Sequence, residues 1–512
     1  MSFPLTRRSS LAVPMGTLPI KYDRRRPEQT ILYQLVADNM ETFFATVESR
    51  PKGRVFPRYV RKEFEGYLKC GILDHGFMQL ICDDCPKTHL IAFSCKMRGF
   101  CPSCGARRMC QTSAYLVDRV LPYIPYRQYV VSFPFAMRYW LSSKPRLTTA
   151  IVGIINSAIS NFIKRRAKDA GYADVQSGSV TFLQRFGGFL NLNLHAHILV
   201  TDGFYHQPDE DGPVKFVPLQ PPDEGQVQAL CEAIAKRIIR CLQRKGLLPK
   251  TADLTEVEQA TPDNLHELYP PMAESIKASC EQRIAFGARA GQPLRFKSYG
   301  HGFGTMGERA VKRSLRCATV NGISLHCNVA VASDKRQHLE QLLRYMARSS
   351  LSLQRLSLDD HGQVIYQLKK PFGGKTHLVL SPLEFIEKVA ALIPPSRMHM
   401  TRFHGVFAPN AAWRKLIVVE GLGKLIEEKL GMVSKPGRPK RELTAEEKYT
   451  WATMLRRIYK IDLTICPDCQ GRLRLRRKVL DPVEAKKIIE GMGLSIRPPP
   501  TKPSRVVTLD LD

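Results

Sequence analysis

His195 and His197 stand two residues apart in a segment, Leu190 to Thr201, that reads LNLNLHAHILVT. Two imidazoles on one side of an extended chain, about 6.5–7 Å apart at Cα, can both reach one divalent cation. Further along, Tyr345 falls in KRQHLEQLLRYMAR (335–348), with Arg344 and Arg348 beside it. A phenol among arginines suits attack on a phosphodiester, because guanidinium groups stabilise the added charge of a pentacovalent phosphorus. The third chemistry is thiolate. Six of the 14 Cys fall between positions 70 and 104: Cys70, Cys82, Cys85, Cys95, Cys101 and Cys104. Cys82/Cys85 and Cys101/Cys104 are C-x2-C pairs fifteen residues apart, and two such knuckles are expected to close one tetrahedral zinc site. Cys70 and Cys95, with His75 or His89, either serve a second ion or are buried thiols. Cys110, Cys231, Cys241, Cys280, Cys317 and Cys327 lack ligand spacing and are expected in cores. Cys466 and Cys469 form a further C-x2-C pair with no second half near it in sequence.

These groups need elements to hold them. Leu190, Leu192, Leu194, Ala196, Ile198 and Val200 alternate with Asn191, Asn193, His195 and His197, the period of a half-buried strand. SLHCNVAVA (324–332) alternates likewise, with Leu325, Cys327, Val329 and Val331 against Ser324, His326 and Asn328. If the two strands are neighbours in a sheet, His326 completes a three-ligand set; Gln184 is the competing third ligand. After Asp334 as N-cap, residues 335–348 have a helical stripe of Leu339, Leu342, Leu343 and Met346. At ~100° per residue, Tyr345 lies off that stripe, on a flank with His338, Gln341 and Arg348. Tyr126, Tyr129, Tyr139 and Trp140, near Arg127 and Arg138, either stack bases or pack in a core.

The chain has 512 residues with 77 Lys+Arg against 47 Asp+Glu, a net charge of +30, and is 44% hydrophobic. That apolar content supplies cores and excludes a disordered basic tail, while the charge points to a polyanion, nucleic acid above all. The excess is spread out: +6 over 1–69, +8 over 71–204, +12 over 271–420 and +8 over 421–512. Only 205–270 is acidic, at −4, and reads as a surface insertion off any nucleic-acid track. Residues 421–445 read as a basic linker. Its LysProGlyArgProLysArg run around Arg438 is either a hook for an A·T-rich minor groove or a flexible spacer. The Pro-rich tail from Pro498 is expected to lack structure. No run of ~18 apolar residues and no secretory h-region occur, so no membrane partner and a cytoplasmic location are expected. No G-x4-GK[ST] occurs, so no nucleotide cofactor is expected.

Together these segments resemble the HUH transposases of rolling-circle elements, specifically the insertion sequence 91 family. The resemblance is carried by CDDCPKTHLIAFSCKMRGFCPSCGARRM (82–109), FLQRFGGFLNLNLHAHILVTDG (182–203), ISLHCNVAVASDKRQHLEQLLRYMARSSLSLQRL (323–356), LKKPFGGKTHLVLSPLEFIEKVAAL (368–392), TRFHGVFAPN (401–410) and TWATMLRRIYKIDLTICPDCQGRLR (450–474). It implies an α+β fold: an antiparallel or mixed-sheet HUH endonuclease core with helices, a small Cys-rich zinc module before it and a basic region after it. The corresponding divisions are a basic arm (1–63), a zinc module (64–112), a catalytic domain (113–420), the linker (421–445) and a C-terminal DNA-binding region (446–512).

The resemblance implies that His195 and His197 ligate a catalytic Mg or Mn ion, that zinc is structural, and that Tyr345 is the nucleophile. The substrate it implies is single-stranded or locally melted DNA, cleaved and rejoined through a 5′-phosphotyrosine. Arg98, Arg107, Arg108, Arg344, Arg348 and Arg438 are the candidate DNA contacts, and a homo-oligomer is compatible with all of this. Two-tyrosine members carry a second Tyr four residues after the first; Ser349 stands there, as in the single-tyrosine branch of common-region elements. Replication initiators and relaxases share the His and Tyr chemistry, but the Cys cluster argues for a transposase. A non-catalytic zinc-dependent DNA-binding regulator is the reading from another class. Cations distributed over the whole chain predict a steep salt dependence: DNA affinity should fall about a thousandfold between 50 and 200 mM salt, what six phosphate contacts release. A flat log–log plot of affinity against salt would contradict it.

Overall fold

The computed structural model describes residues 25–50, 55–85, 87–209, 212–249, 264–298, 315–418, 462–494 and 500–505. Arg438 and the whole of the expected linker lie outside them, as do the first 24 residues of the basic arm. Two helices come first, α1 (Ile31–Glu48) and α2 (Arg58–Lys69). Thr30 caps α1 by accepting from the backbone N–H of Tyr33. A hairpin of β1 (Phe77–Cys82) and β2 (Thr88–Ala92) leads to α3 (Pro102–Tyr115). Pro102 starts α3 at the one position where a missing N–H costs no helical hydrogen bond. Next come β3 (Tyr126–Ser132), the long α4 (Pro145–Asp169), β4 (Gly178–Phe186) and β5 (Leu192–Thr201). They are followed by α5 (Glu224–Arg244), β6 (Cys317–Val320), β7 (Ile323–Val331), α6 (Arg336–Met346), α7 (Pro382–Leu392) and β8 (Thr401–Gly405). The last elements are β9 (Leu473–Val479) and α8 (Pro482–Gly491).

The expected α+β class holds, with every paired strand antiparallel. Six strands form the central sheet in the order β8-β4-β5-β3-β7-β6, so the histidine strand is interior. Its alternation sorts two faces. Leu194, Ala196, Ile198 and Val200 enter a core with α4 and α5. On the other face Phe182, Leu199 and Tyr126 pack with Leu339, Leu343 and Met346 of α6. Arg127 pins three strands at one end: it donates to both oxygens of Asp202 at 2.9 and 2.7 Å and to the Cys327 carbonyl at 3.1 Å, while 3% exposed.

A four-stranded sheet (Leu356–Leu358, Val364–Phe372, Lys375–Leu380 and Arg295–Lys297) shares a separate core with α1, α2 and α7. The third sheet, in order β9-β1-β2, joins the C-terminal strand to the N-terminal hairpin.

Three expectations are corrected. Residues 224–244 are no surface insertion: Val227, Leu230, Ile234, Ile238 and Leu242 are buried beneath the central sheet. The negative charge there comes from acidic residues on either side of α5 in sequence, whereas the helical period of α5 is an ordinary core signal. The tail does make structure, since Lys502 N donates to Ala37 O and Arg505 N to Thr42 Oγ1 along α1. Asp334 does not cap α6; Lys335 holds the N-cap position and the Asp334 carboxylate pairs with its ammonium at 2.9 Å. Among the described residues α4 alone is long and apolar enough to cross a membrane, and its apolar side lies against the sheet and α5. Asp202→Ala strands a buried guanidinium and should cost about 3–5 kcal/mol. Thermal unfolding of the variant against wild type measures this, and an unchanged Tm would refute the pinning role.

Candidate active site and metal centres

Cross-strand register builds the first site. Gln184 of β4 lies opposite His195, and Phe182 opposite His197. On the other side Ser132 and Val130 of β3 face the same two histidines. Residues paired directly across an antiparallel ladder project from the same face, so Gln184, His195 and His197 share the face that α6 covers. The polar face read from the sequence as half solvated is thus enclosed. His197 is 5% exposed. Its ring lies 4.9 Å from that of His195 and meets the Tyr345 ring edge-on, at 5.8 Å and 87°.

Hydrogen bonds orient each member. The Nδ1–H of His195 donates to Asn193 O at 2.8 Å, leaving Nε2 as a lone-pair donor. Gln128 Nε2 meets His197 Nδ1 at 2.7 Å, so Nδ1 accepts from the amide and Nε2 carries the ring proton; a ligand role for Nε2 requires the amide turned over, its oxygen accepting from Nδ1–H. Gln184 Nε2 donates to the carbonyls of Tyr345 and Met346, at 3.0 and 2.9 Å, which clamps the last turn of α6 to β4. Its Oε1 has no protein partner, nor have His197 Nε2 and Asn193 Oδ1, although all three atoms are buried. Such orphans are rare in a folded interior, and here they are the donor types of a divalent-metal site. Burial pushes the His195 pKa down to about 4 and that of His197 well below its usual value. Both imidazoles are therefore neutral near pH 7, the form that ligates.

Two cations flank the phenol. The Arg348 guanidinium lies 4.7 Å from the Tyr345 ring centroid and the Lys369 ammonium 5.0 Å. Arg348 also stacks on Phe186, and its Nε is buried without a partner. Beside them runs a cleft of about 290 Å³ lined by Arg98, Arg108, Arg185, Arg348, Ser349 and His399. His326, the other candidate ligand, is in register with Val130, which is in register with His197. It stands on the same face but two strands away, about 10 Å at the usual spacing.

The thiols sort differently from the spacing rule. Cys70, Cys95, Cys101 and Cys104 form one tetrad, and Cys82, Cys85, Cys466 and Cys469 another. The expected union of Cys82/Cys85 with Cys101/Cys104 is corrected, because the β1–β2 hairpin carries its knuckle away from the start of α3. Of the Cys expected in cores, Cys317 is exposed and the others are buried. Cys101 and Cys104 begin α3, which packs on α6. Arg336 of α6 donates to the carbonyls of Val117, Leu121 and Pro122, just beyond α3. Gly105 meets Ser349 so closely that an added Cβ would lie 2.6 Å from the serine Cβ.

Some expected DNA contacts already have work within the fold. Arg98 donates to the carbonyls of Met398 and Pro395, Arg108 to those of Lys96 and Met97, and Arg107 to Ser94 Oγ. Arg344 lies 4.0 Å from Glu340. Tyr126, Tyr129 and Trp140 are core residues, not an exposed stacking row. Sequence reasoning missed Gln128 and Lys369. Gln128 had a signal, the alternation Tyr126, Gln128, Val130 along β3; Lys369 had none, since it arrives from another sheet.

Two family models match the chain: a "Transposase zinc-binding domain" over residues 39–133 and a "Putative transposase" over residues 178–414. The zinc-binding model is that of insertion sequence 91 transposases. The chain belongs to the insertion sequence 91 transposase family. No curated protein and no solved structure matches it. In this transposase the zinc-binding match encloses the whole Cys70/Cys95/Cys101/Cys104 tetrad, a donor set suited to a structural zinc ion. The second match encloses Gln184, His195, His197 and Tyr345.

Because burial holds both imidazoles neutral near pH 7, a proton competes with a metal ion at His195 only as pH nears 4, and at His197 only well below its usual range. Mn affinity of the transposase, followed by titration calorimetry, should change less than threefold between pH 8 and pH 6 and weaken below 5. A tenfold loss per pH unit already at pH 6 would show ordinary, solvated histidines.

Proposed function

We propose that this transposase cleaves and rejoins single-stranded DNA at the ends of its element, with Tyr345 as nucleophile and a 5′-phosphotyrosine as intermediate. The observation that carries the reading is the Tyr345 ring set edge-on to His197, between Arg348 and Lys369. His197 Nε2 and Gln184 Oε1 are buried beneath it with no protein partner. His195, His197 and Gln184 fit a divalent ion. Gln184 is favoured over His326 because it shares a register row with His195 and has an orphan oxygen. Imidazole favours Mn, and abundance favours Mg. Such an ion supplies Lewis acidity toward the scissile phosphate and its departing oxygen.

The protein's own groups do the rest. Tyr345 Oη forms a bond to phosphorus while the bond from phosphorus to the 3′ oxygen breaks. The phenolic proton leaves and the 3′ oxygen gains one, so one phosphodiester is exchanged for another and no water is consumed. Reversal on a second 3′-OH rejoins the strand. Arg348 and Lys369 face the charge that grows on the pentacovalent phosphorus. The clamp from Gln184 to the Tyr345 and Met346 carbonyls holds the phenol at a fixed height above the sheet, which lowers the entropic cost of in-line attack. The cleft beside the phenol offers a cationic path for a strand, with Arg348 the guanidinium whose Nε has no partner and Arg98 and Arg108 adding charge from positions braced within the fold. A flexible single strand follows such a path more readily than a duplex.

Tyr345→Phe should abolish the denaturant-stable protein–DNA adduct on labelled single-stranded end DNA with Mn, while binding measured by anisotropy stays within about twofold. Retained nicking would remove Tyr345 from its role. Transfer of the held strand to an added 3′-OH distinguishes a transposase from an enzyme that only nicks.

A further inference from the structure

The matched zinc-binding stretch can close one metal site from its own residues but only half of a second. Cys82 and Cys85 lie inside residues 39–133, whereas Cys466 and Cys469 lie beyond both matched stretches. The structure nevertheless brings all four together. Cys82 Sγ is 3.4 Å from Cys469 Sγ, Cys85 Sγ is 3.7 Å from Cys466 Sγ, and all four sulfurs lie within 4.8 Å of one another. Four thiolates about 2.3 Å from a tetrahedral zinc ion are about 3.8 Å apart. A disulfide would need about 2.05 Å. The self-contained tetrad shows the same separations, 3.7 Å for Cys70–Cys104 and 3.4 Å for Cys95–Cys104.

The backbone around the split tetrad is shaped to match. Cys82 N donates to Lys87 O, and Cys466 N to Gly471 O at 2.7 Å, closing two knuckle turns. Gly471 N donates to Cys469 Sγ at 3.4 Å, and Asp83 N to Arg472 O ties one knuckle to the other. Gly471 leaves no room for a side chain, since a Cβ there would lie 2.3 Å from the Asp84 carboxylate. His89 Nε2 is 3.5 Å from Cys466 Sγ and 3.9 Å from Asp468, so it stands beside a sulfur set that is already complete. Strand pairing continues the join: Cys82 pairs with Leu473 and Phe77 with Val479.

We infer that Cys82, Cys85, Cys466 and Cys469 hold a second zinc ion, which clasps the C-terminal strand β9 and helix α8 onto the N-terminal module. Binding releases the thiol protons and leaves a tetrathiolate zinc centre of charge −2. The clasp fixes a cationic edge strand, with Arg472, Arg474, Arg476, Arg477 and Lys478 exposed along it, against the module that carries the first ion.

The test is metal content of the purified, reduced full-length protein by mass spectrometry of the elements. Wild type should carry two zinc ions. Cys466→Ser/Cys469→Ser should carry one, Cys82→Ser/Cys85→Ser one, and all four changes together still one. Cys101→Ser/Cys104→Ser should also carry one, and adding Cys466→Ser/Cys469→Ser to it should leave none. Cys469→His keeps a ligand and should restore two, which separates loss of a donor from loss of folding; His89→Ala should leave both. Replacement of zinc by cobalt gives a thiolate charge-transfer band that should halve in the Cys466/Cys469 variant. The inference is overturned if that variant keeps the wild-type zinc content. It is also overturned if the intact wild-type mass, taken without reductant, is short of four hydrogens and the protein holds one zinc, the signature of two disulfides.

Discussion

The architecture of the candidate active site depends on strand register. Gln184, His195 and His197 meet because β4, β5 and β3 are aligned residue to residue, and a slip of one position would send both imidazoles into the aliphatic core under α4 and α5. That alignment is over-determined. The back face is mostly apolar, its buried polar groups satisfied within it by Asn156 with Ser179 and Thr181, and the Arg127–Asp202 pair locks β3, β5 and β7 at one end. Closing the front face with α6 then removes water from the imidazoles, which keeps them neutral and leaves His197 Nε2 buried without a protein partner.

The same helix links a thiol tetrad to the candidate active site. Cys101 and Cys104 lie at the start of α3, and α3 supports the helix that bears Tyr345. Carbonyls just beyond α3 receive Arg336, so the entry of α6 is fixed from one side and its exit, through Gln184, from the other. A tetrad of thiols far from the phenol in sequence therefore bears on the phenol's position through a single helix–helix contact. The contact of Gly105 with Ser349 shows how close the packing is at the position where two-tyrosine relatives carry their second phenol.

Period-two and helical patterns made the local elements legible. Strand β5, strand β7 and helix α6 fall within a residue or two of their sequence signals, and Tyr345 lies off the buried stripe as its angle requires. What failed was partnership over distance. C-x2-C spacing identifies a knuckle but carries no information on which knuckle completes it, so Cys82 and Cys85 were matched to the nearest pair instead of one at the other end of the chain. Charge misled over 205–270, where acidic residues flank in sequence a helix whose buried stripe was the better guide. Arg98 and Arg108 illustrate a further limit: a guanidinium that braces carbonyls and one that waits for phosphate are the same letter. The third ligand stayed open between His326 and Gln184 because one unseen intervening strand decides it.

The three-stranded β9-β1-β2 sheet has a consequence for synthesis. Its middle strand, β1, is made early, yet one of its two neighbours leaves the ribosome almost 400 residues later, roughly 20–80 s at about 5–20 residues per second. Throughout that interval β1 presents a bare edge, the kind that recruits stray strands, with the thiols of Cys82 and Cys85 at its end. A chain stopped short by a nonsense codon would keep that edge for good. Completion of translation is thus built into the fold as a requirement, and truncated products of the gene would leave the ribosome with an open strand that quality-control machinery can recognise.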